Sequence, residues 1–509
     1  MKYEVILIGG GPVGMMLAGE LALAGVKVCV IEQLKETTPY SRALTVHPRT
    51  LEILDMRGVK SKLISKGRLL SRGHFAGLET PLDFSVLDSS SNHTLFLPQS
   101  ETEKVLEEWA LSLGAEVWRE VEALSVHQDE DGVDVKIAGP NGETTLRSAY
   151  VVGTDGARSM VRKHANISFE GTDATFTAIL GDAVLSDLAP MSVISRITEK
   201  GLVSIMPIND HMYRVLIIDM ERRNISKDET VTFEEFRSSI IRTTGSDLGL
   251  NDVKWMSRFG NATRQAGRYR NGRLFLAGDS AHIHFPAGGQ GMNVGLQEAM
   301  NLGWKLAGAI KGWAPDWLLD SYHTERFPWN TALLRNTEVQ TLLLDVTPPI
   351  TELRSMLANL IQIPEANYQI AAQVSAMDVH YAPDVEAPHH PLNGKRFKDL
   401  GLKLKDGQLT NSYPFLHRGT FLLLHFHFNE QNNGQWETYS NLKVVHASLA
   451  EADADWNDVH TALIRPDGHI AWAVSLSDPN PMQTINEGIT RWCGNTTENL
   501  IQQKSRFEI

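Results

Sequence analysis

The chain has 509 residues, 42% hydrophobic and 21% charged, which is typical of a globular protein with several domains. Its net charge of −13 argues against nucleic acid and anionic membranes as partners. The two cysteines, Cys29 and Cys493, exclude a disulfide scaffold and a zinc site made of cysteine alone. No window of 18 residues is free of polar interruption, so we expect a cytoplasmic protein without a membrane span.

The first forty residues predict a strand, a glycine-rich turn, a helix and a second strand. YEVILIGG and VKVCVIE are short apolar, β-branched runs, and MMLAGELALAG between them has helical spacing. Gly9, Gly11 and Gly14 follow the pattern G-x-G-x-x-G, which permits a tight turn, close approach to a pyrophosphate and close helix packing. Glu32, at the end of the second strand, can accept both hydroxyls of a ribose. These features predict a dinucleotide site, without separating FAD from NAD; a turn that serves packing alone is the alternative.

Two later motifs pair glycine with aspartate at the end of a strand. YVVGTDGARSMVR, residues 150–162, predicts a strand, a turn at Asp155 and a helix start. GRLFLAGDSAHIHFPAGGQGMNVGLQEAMNLGWKLAGAI, residues 272–310, predicts a strand ending at Asp279, a glycine-rich loop and a helix. Such an aspartate can accept hydrogen bonds from a ribityl chain, and the loop can offer backbone N–H groups to an anionic flavin. Asp155 could instead simply cap its helix.

In this order and spacing, the three motifs resemble those of class A flavoprotein monooxygenases, which have the para-hydroxybenzoate hydroxylase fold. The branch with phenol-type and aromatic polyketide hydroxylases and rifampicin monooxygenase is the most similar. Four further stretches resemble that branch: SRALTVHPRTLEILDMRG (41–58), LPQSETEKVLEEWALSLGAEV (97–117), IPEANYQIAAQVSAMDVHY (363–381) and LIRPDGHIAWA (463–473). The resemblance therefore covers nearly the whole chain.

The predicted fold is α/β, with a Rossmann-like FAD-binding domain, an inserted, mostly antiparallel β-sheet substrate domain and a C-terminal thioredoxin-like domain. Runs such as LVSIMPI and YRVLIIDM indicate the inserted sheet, and TFLLLHFHF, LKVVHA and a turn at Pro466 indicate the last domain, which lacks Cys-x-x-Cys. The expected boundaries are 1–74, 98–180 and 266–345 for the FAD-binding domain, 75–97 and 181–265 for the substrate domain, 346–394 for a helical connector and linker, and 395–509 for the thioredoxin-like domain.

The resemblance implies non-covalently bound FAD. The residues it assigns to the cofactor are Gly9, Gly11, Val13, Gly14, Glu32, Gln33, Arg42, Gln99, Ala123, Asp155, Asp279, Gly291, Met292 and Asn293. Glu32 would bind the adenosine ribose, Gln99 the phosphate and ribityl region, and Ala123 would approach adenine through its backbone. Asp155 belongs to a motif linked with both FAD and NADPH. Arg42 would lie beside the pyrophosphate, and it is also the predicted catalytic residue, promoting flavin reduction.

At the flavin ring, Asp279 would bind the ribityl chain and pyrophosphate, while Met292 and Asn293 would line the isoalloxazine through their backbones. The predicted substrate contacts are Phe75, Arg196, Tyr213, Arg214 and Pro286. No metal is expected, because the His-x-His pair of His282 and His284 has no third ligand cluster.

The activity that the resemblance implies is NAD(P)H-dependent monooxygenation. NADPH or NADH reduces FAD, O2 adds at flavin C4a, and the hydroperoxide hydroxylates an electron-rich aromatic ring of a phenol, polyketide or rifamycin-like naphthol. The alternatives are a Baeyer–Villiger-type oxygenase, reductase or halogenase on the same fold, and a non-catalytic flavin-binding sensor. The substrate, the choice of nicotinamide and a monomeric or homodimeric state stay open.

Overall fold

The computed structural model describes residues 2–38, 40–191, 193–427 and 436–494, which form a mixed α/β fold. The strands before residue 173 are β1 Val5–Ile8, β2 Val28–Ile31, β3 Thr45–Val46, β4 Arg68–Leu70, β5 Arg72–Gly73, β6 Leu82–Asp83, β7 Thr94–Phe96, β8 Glu116–Trp118, β9 Glu122–Gln128, β10 Val133–Gly139, β11 Gly142–Ser148, β12 Tyr150–Gly153 and β13 Phe169–Thr172. The helices there are α1 Pro12–Leu23, α2 Pro48–Asp55, α3 Lys60–Ile64, α4 Gln99–Ser112 and α5 Met160–His164.

The middle of the chain adds a second group of strands and the longest helices. Its strands are β14 Thr177–Leu185, β15 Ile194–Thr198, β16 Gly201–Pro207, β17 Met212–Asp219, β18 Leu250–Gly260, β19 Thr263–Ala266, β20 Arg270–Asn271, β21 Leu274–Leu276 and β22 His282–Ile283. Its helices are α6 Phe233–Thr244, α7 Gly291–Lys311, α8 Leu318–Leu342, α9 Pro348–Ile361 and α10 Pro364–Ser375. The last elements are β23 Gly401–Leu404, β24 Leu409–Asn411, β25 Phe421–His425, β26 Leu442–Leu449, β27 Val459–Ile464, β28 Ile470–Ser475 and α11 Pro481–Cys493.

The first sheet has the strand order β20-β21-β12-β1-β2-β8, and every pair in it is parallel except β20 with β21. β1 and β2 are wholly buried, as continuous apolar runs in a parallel sheet should be. Helix α1 packs against α4 and α7, and its residues 14–22 are all buried. Trp109 of α4 lies directly over Gly19, where a Cβ atom would come within 2.1 Å of the indole. The predicted strand, turn, helix and strand are therefore present.

The second large sheet is antiparallel throughout and has the order β15-β16-β17-β14-β18. Successive side chains of β17 face opposite sides, as strand geometry requires. Tyr213 and Val215 pack with Phe236 of α6 on one side. Leu216 and Ile218 face the other side, where they cluster around Phe285. The inserted sheet thus presents an apolar face to the loop that follows the Asp279 motif.

Residues 75–97, which were predicted to form the substrate domain together with the inserted sheet, contain short strands that pair outside that sheet. β7 pairs with β3 and β4, and β6 pairs with β5. Phe75 and Phe84 pack in a hydrophobic cluster with Leu343, Ile361 and other residues of the connector helices α9 and α10. The segment therefore packs against the connector, and at Gly77 it also lies beside Ile197 of β15 in the inserted sheet.

The C-terminal unit contains a mixed sheet of order β24-β23-β26-β25-β27-β28. β25 is parallel to β26 and antiparallel to β27, which forms a hairpin with β28. Helix α11 packs on this hairpin through Ile485 and Ile489, which are fully buried. Residues 428–435 and 495–509 of the predicted unit lie outside the described residues.

The turn between β27 and β28 is inserted into the N-terminal part of the fold. Arg57 donates hydrogen bonds to the carbonyl oxygens of Leu416 and Pro466, at 3.0 and 2.8 Å. Arg49 of α2 donates to the carbonyl oxygens of Asp467 and Gly468, at 3.1 and 3.0 Å. The two parts of the chain therefore share buried charged contacts at this turn.

Candidate functional site

The glycine triplet has the local geometry that a phosphate-binding turn requires. Gly9 has φ +107°, in the region that favours glycine, and a Cβ atom on Gly14 would lie 2.1 Å from the Gly9 carbonyl oxygen. A Cβ atom on Gly11 would meet nothing within 4 Å. Gly11 is also the N-cap of α1 and provides no side chain to the first N–H groups of the helix. The start of α1 is therefore open to an anionic ligand.

Glu32 lies beside this turn. Its Oε2 accepts a hydrogen bond from the backbone N–H of Gly10 at 2.7 Å, and its Oε1 accepts one from Leu34 at 2.8 Å. Val121 donates its N–H to the Glu32 carbonyl oxygen, which places Ala123 of β9 nearby along the same strand. The carboxylate thus fixes the turn, and it retains lone pairs for a ribose.

The two aspartate motifs are joined through Arg162 of α5. This guanidinium donates to the carbonyl oxygens of Ser280 and Ala157, at 2.8 and 2.9 Å. The Oδ2 atom of Asp155 accepts from the N–H groups of Met160 and Val161, at 2.6 and 3.1 Å, so Asp155 does cap the helix start. Its Oδ1 atom is buried without a hydrogen-bond partner, and burial raises the pKa of this carboxyl above its usual value. The Asp155 carboxylate therefore serves the start of α5 through one oxygen, while its other oxygen is enclosed by protein.

The turn that carries Asp279 is anchored by Glu298 of α7. Glu298 accepts a hydrogen bond from the Gly278 N–H at 2.7 Å and lies 2.8 Å from Nε2 of His282. Asn330 donates to the same carboxylate. His282 is therefore a partner of Glu298, and no group of three or more His, Cys, Asp or Glu side chains in the described ranges is placed to hold a metal.

The glycine-rich loop before α7 is held by His47 and Asn293. Gly288 and Gly289 have φ +69° and +66°, which bends the backbone sharply. Nε2 of His47 lies 2.7 Å from the Gly288 carbonyl oxygen and so donates to it, which leaves Nδ1 to accept from Thr94. Burial lowers the pKa of His47 to about 4, so the ring is neutral near pH 7.

Asn293 connects this loop to the strand before His47. Its Oδ1 accepts from the His47 N–H at 2.8 Å, and its Nδ2 donates to Thr45 and Gly289 at 2.9 Å each. Helix α7 begins at Gly291 without a side-chain cap. Met292 is half-buried beside it. The backbone at the start of α7 therefore faces the cleft in a fixed conformation.

Arg42 lies close enough to Asp279 for its charge to affect the pKa of that carboxyl. Both side chains are exposed, although protein surrounds them. Burial raises the pKa of the Asp279 carboxyl, and the positive charge of Arg42 opposes that rise. In the parts of the chain that the structure describes, the Arg42 guanidinium forms no hydrogen bond or ion pair. A permanently charged guanidinium is therefore available to a phosphate or an anionic ring.

The remaining predicted cofactor residues lie around the same turn. Gln99, at the start of α4, accepts from the N–H of Ala43 at 3.1 Å and donates to Glu103 at 2.7 Å. The side chain of Val13 packs over Gly278, and a Cβ atom added to Gly278 would lie 3.0 Å from it. Gln33 is exposed beyond Glu32. Gln99 thus positions the loop after Arg42 through its own hydrogen bonds.

The structure places the predicted substrate contacts Arg196, Tyr213 and Arg214 on two faces of the inserted sheet. Arg196 pairs in register with Val203, and Tyr213 is buried beneath α6, so both lie on the face that packs on α6. Arg214 lies on the opposite face, is 1% exposed and is ion-paired with Asp182. Phe75 is buried beside the connector helices.

Pro286 is exposed next to an aromatic cluster on the cleft side of the sheet. The rings of Phe176 and Phe259 lie 5.7 and 5.8 Å from the ring of Phe285. Leu202 and Ile218 complete this apolar wall. Neither Phe176 nor Phe259 was singled out from the sequence, because aromatic residues in a predicted strand are common core residues.

The residues present fit bound FAD. The open start of α1 and the exposed Arg42 and Asp279 are groups that a phosphate, a ribityl chain and a flavin can bind. The residues that fix this arrangement, Arg162 and Glu298, were not predicted. A charged residue within the apolar helix sequence NVGLQEAMNL is the signal that could have identified Glu298.

Comparison with known proteins identifies the family. The model of the FAD binding domain matches residues 2–337, and that of the aromatic-ring hydroxylase C-terminal domain matches residues 390–496. An uncharacterized aromatic compound monooxygenase of Bacillus subtilis is 54% identical over 493 residues, which are 97% of this chain and 98% of that protein. The rifampicin monooxygenase of Streptomyces venezuelae is 40% identical over 478 residues, 92% of this chain and 95% of that protein.

The anhydrotetracycline hydroxylase of Streptomyces rimosus has a similar solved structure, with a TM-score of 0.90 and 38% identity over 98% of this chain and 100% of that one. The chain belongs to the FAD-dependent aromatic-ring hydroxylases, the class A flavoprotein monooxygenases. The resemblance seen in the sequence motifs is confirmed. No helix in the described part of the chain has the length and apolar character needed to cross a membrane.

Proposed function

We propose that this protein is a monooxygenase that uses FAD, NADPH or NADH, and O2 to hydroxylate an aromatic small molecule. The observation that carries this proposal is that one short stretch of chain, residues 278–293, connects a charged group with an apolar face. Asp279 at its start interacts electrostatically with Arg42, and Phe285 within it packs with Phe176 and Phe259 to form the apolar face. An aromatic substrate would pack on that face next to the flavin.

Each predicted cofactor residue would act through binding or positioning. Arg42 would bind phosphate or stabilise the negative charge of the reduced flavin, and Asp279 would accept hydrogen bonds from the ribityl chain. His47 and Asn293 would hold the glycine loop, so that its N–H groups meet the flavin without rearrangement. Bound FAD would take hydride from the nicotinamide and deliver the electrons to dioxygen. The apolar wall would exclude water from that reaction.

The finer fold assignments are part of this proposal. The order β8-β2-β1-β12-β21, with parallel strands, supports a Rossmann-like FAD-binding domain. The order β26-β25-β27-β28, followed by α11, supports a thioredoxin-like C-terminal domain. A cytoplasmic location and a monomeric or homodimeric state go with this proposal.

The test is NADPH oxidation by the purified holoenzyme across a panel of phenols, hydroxynaphthoquinones and polyketide-like aromatics under labelled dioxygen. We expect a member of the panel to stimulate oxidation and to gain one labelled oxygen atom as a ring hydroxyl, assigned by mass and NMR. Asp279→Ala is the matched inactive control. Label found only in hydrogen peroxide, or insertion next to a carbonyl, would contradict the proposal, the latter in favour of Baeyer–Villiger oxygenation.

A further inference from the structure

The side chain of Arg214 connects the inserted sheet to the loop that carries Arg42. Arg214 forms a two-point ion pair with Asp182, in which Nη2 lies 3.0 Å from Oδ2. Its Nη1 also donates to the carbonyl oxygen of Arg42 at 3.0 Å, and its Nη2 donates to the carbonyl oxygen of Ser41. One buried guanidinium therefore bonds to two consecutive backbone carbonyls of the loop.

Trp255 completes this arrangement on a third strand. Asp182 pairs in register with Arg214 on one side and with Trp255 on the other. The indole Nε1 donates to Oδ2 of Asp182 at 2.7 Å, and its ring lies 5.8 Å from the ring of Tyr40. These three side chains therefore form one row across three strands, and the row contacts the loop at residues 40–42.

The opposite side of the loop is tied to α4. The Ser41 hydroxyl donates a hydrogen bond to the Ser100 hydroxyl at 3.1 Å and accepts one from the Ser100 N–H at 3.0 Å. Gln99 accepts from the N–H of Ala43 at 3.1 Å. The backbone on both sides of Arg42 is therefore fixed, while its own guanidinium is exposed and acts electrostatically on the carboxyl of Asp279.

A buried ion pair is costly to desolvate, and apolar residues of similar size often stabilise a core at least as well. Elsewhere the same face of the sheet uses such residues, including Leu216 and Ile218. The feature that apolar side chains could not reproduce is the pair of hydrogen bonds from Arg214 to the loop carbonyls.

We propose that Arg214 is a positioning residue, which holds the backbone of Ser41 and Arg42 so that the Arg42 guanidinium is aimed at the cofactor cleft. This inference rests on the cofactor role of Arg42 in the proposed function. It does not rest on the identity of the substrate or on the oxygen chemistry, because its consequence is FAD affinity. Arg214 would act only through Arg42.

The test is a double-mutant cycle on FAD binding to the apo-protein, followed by flavin fluorescence. The variants are Arg42→Ala, Arg214→Lys and the double variant. Lysine keeps the charge beside Asp182, but it cannot bond to the carboxylate and both carbonyls in the planar geometry of arginine. Arg258→Lys is the matched control, because Arg258, in β18 of the same sheet, forms a buried ion pair with Glu235 of α6, in which Nη2 donates to both carboxylate oxygens at 2.8 and 2.7 Å. Its other hydrogen bond goes to the carbonyl oxygen of Glu229, outside the loop at residues 40–42.

We expect Arg42→Ala to raise the dissociation constant of FAD about tenfold, as for the loss of a hydrogen bond to a charged group. Arg214→Lys should raise it several-fold, and the double variant should bind no more weakly than Arg42→Ala. Arg258→Lys should leave FAD affinity unchanged even if it lowers the unfolding temperature. Anaerobic stopped-flow reduction by NADPH should follow the same pattern.

The proposal is overturned if Arg214→Lys binds FAD like the wild type, if the two effects multiply in the double variant, or if Arg258→Lys weakens binding equally. A wild-type affinity of Arg42→Ala also overturns it. Failure of the proposed function is separate: the FAD cycle can be measured in full on a protein that hydroxylates no member of the substrate panel.

Discussion

The carboxylate of Glu20, in α1, accepts hydrogen bonds from Arg57 at 2.6 and 2.8 Å, and both side chains are buried. The same guanidinium donates to carbonyl oxygens of Leu416 and Pro466 in the C-terminal unit. The Arg57 guanidinium therefore binds both helix α1 and a turn that lies more than 400 residues later in the chain. Because a charge in such a position has no access to water, neither unit can lose the contact without cost.

Arg57→Met should destabilise the whole chain. Removal of the Arg57 guanidinium leaves the Glu20 carboxylate buried without a partner, which lowers the free energy of unfolding by about 3–5 kcal/mol. Urea denaturation followed by tryptophan fluorescence measures this loss, and Lys104→Ala in the exposed pair with Glu101 is the control, with an expected loss below about 1 kcal/mol. Equal losses in the two variants would contradict the role of Arg57.

We expect Gly11→Ala to lower the affinity for FAD and Gly14→Ala to lower the stability of the fold. A methyl group at Gly11 enters open space, so the fold should be retained while FAD affinity falls. At Gly14 it would lie 2.1 Å from a backbone oxygen, so the variant should lose stability. Thermal unfolding of the apo-proteins and FAD titration separate the two effects. Unchanged FAD affinity in Gly11→Ala would show that no ligand approaches this position.

Asp279→Ala should weaken FAD binding by about 1.5–3 kcal/mol, the range for a hydrogen bond to a charged group. The apo-protein should stay folded, because the turn itself is held by Glu298 through the Gly278 N–H. FAD titration measures the change, with Asp131→Ala in the exposed turn before β10 as the control. If both variants retain wild-type affinity, Asp279 does not contact the cofactor.

His469 should make stability depend on pH. Burial lowers its pKa to about 4, although Asp467 opposes that effect. Since the folded pKa lies below the unfolded value of about 6.5, the unfolded chain binds the proton more tightly. The contribution of neutral His469 to the free energy of unfolding is therefore complete above about pH 6.5 and is lost as the pH falls toward 4.

Urea denaturation of the wild type should give a lower free energy of unfolding at about pH 4.5 than at about pH 7. His469 should contribute about 2 kcal/mol to this difference. His469→Gln should show a smaller loss between the same two conditions. The control is His211→Gln, at an exposed histidine. An identical pH dependence in wild type and His469→Gln would contradict the prediction.

The features that the sequence predicted well are local. A strand, turn, helix and strand within forty residues leave Gly9, Gly14 and Glu32 few alternative arrangements. The strands of the inserted sheet and of the C-terminal unit also follow directly from short apolar runs bounded by turn residues.

The features that it missed depend on partners distant in the chain. Strand alternation shows that Tyr213 and Arg214 face opposite sides, but not which side meets the cleft. That choice was decided by α6, which covers Tyr213, and by Asp182, which pairs with Arg214. Phe75 and Phe84 likewise have distant hydrophobic partners, since they pack with connector helices more than 250 residues later.

The turn at Asp467 and Gly468 also has a consequence for synthesis on the ribosome. Arg49 and Arg57 are translated early, but their carbonyl partners at 466–468 follow only after more than 400 further residues have been made. Until then two buried arginines of the N-terminal part lack these acceptors. The flavin-binding part of a nascent chain therefore cannot reach its final stability before residues 466–468 are made, and its exposure to chaperones and proteases lasts at least that long.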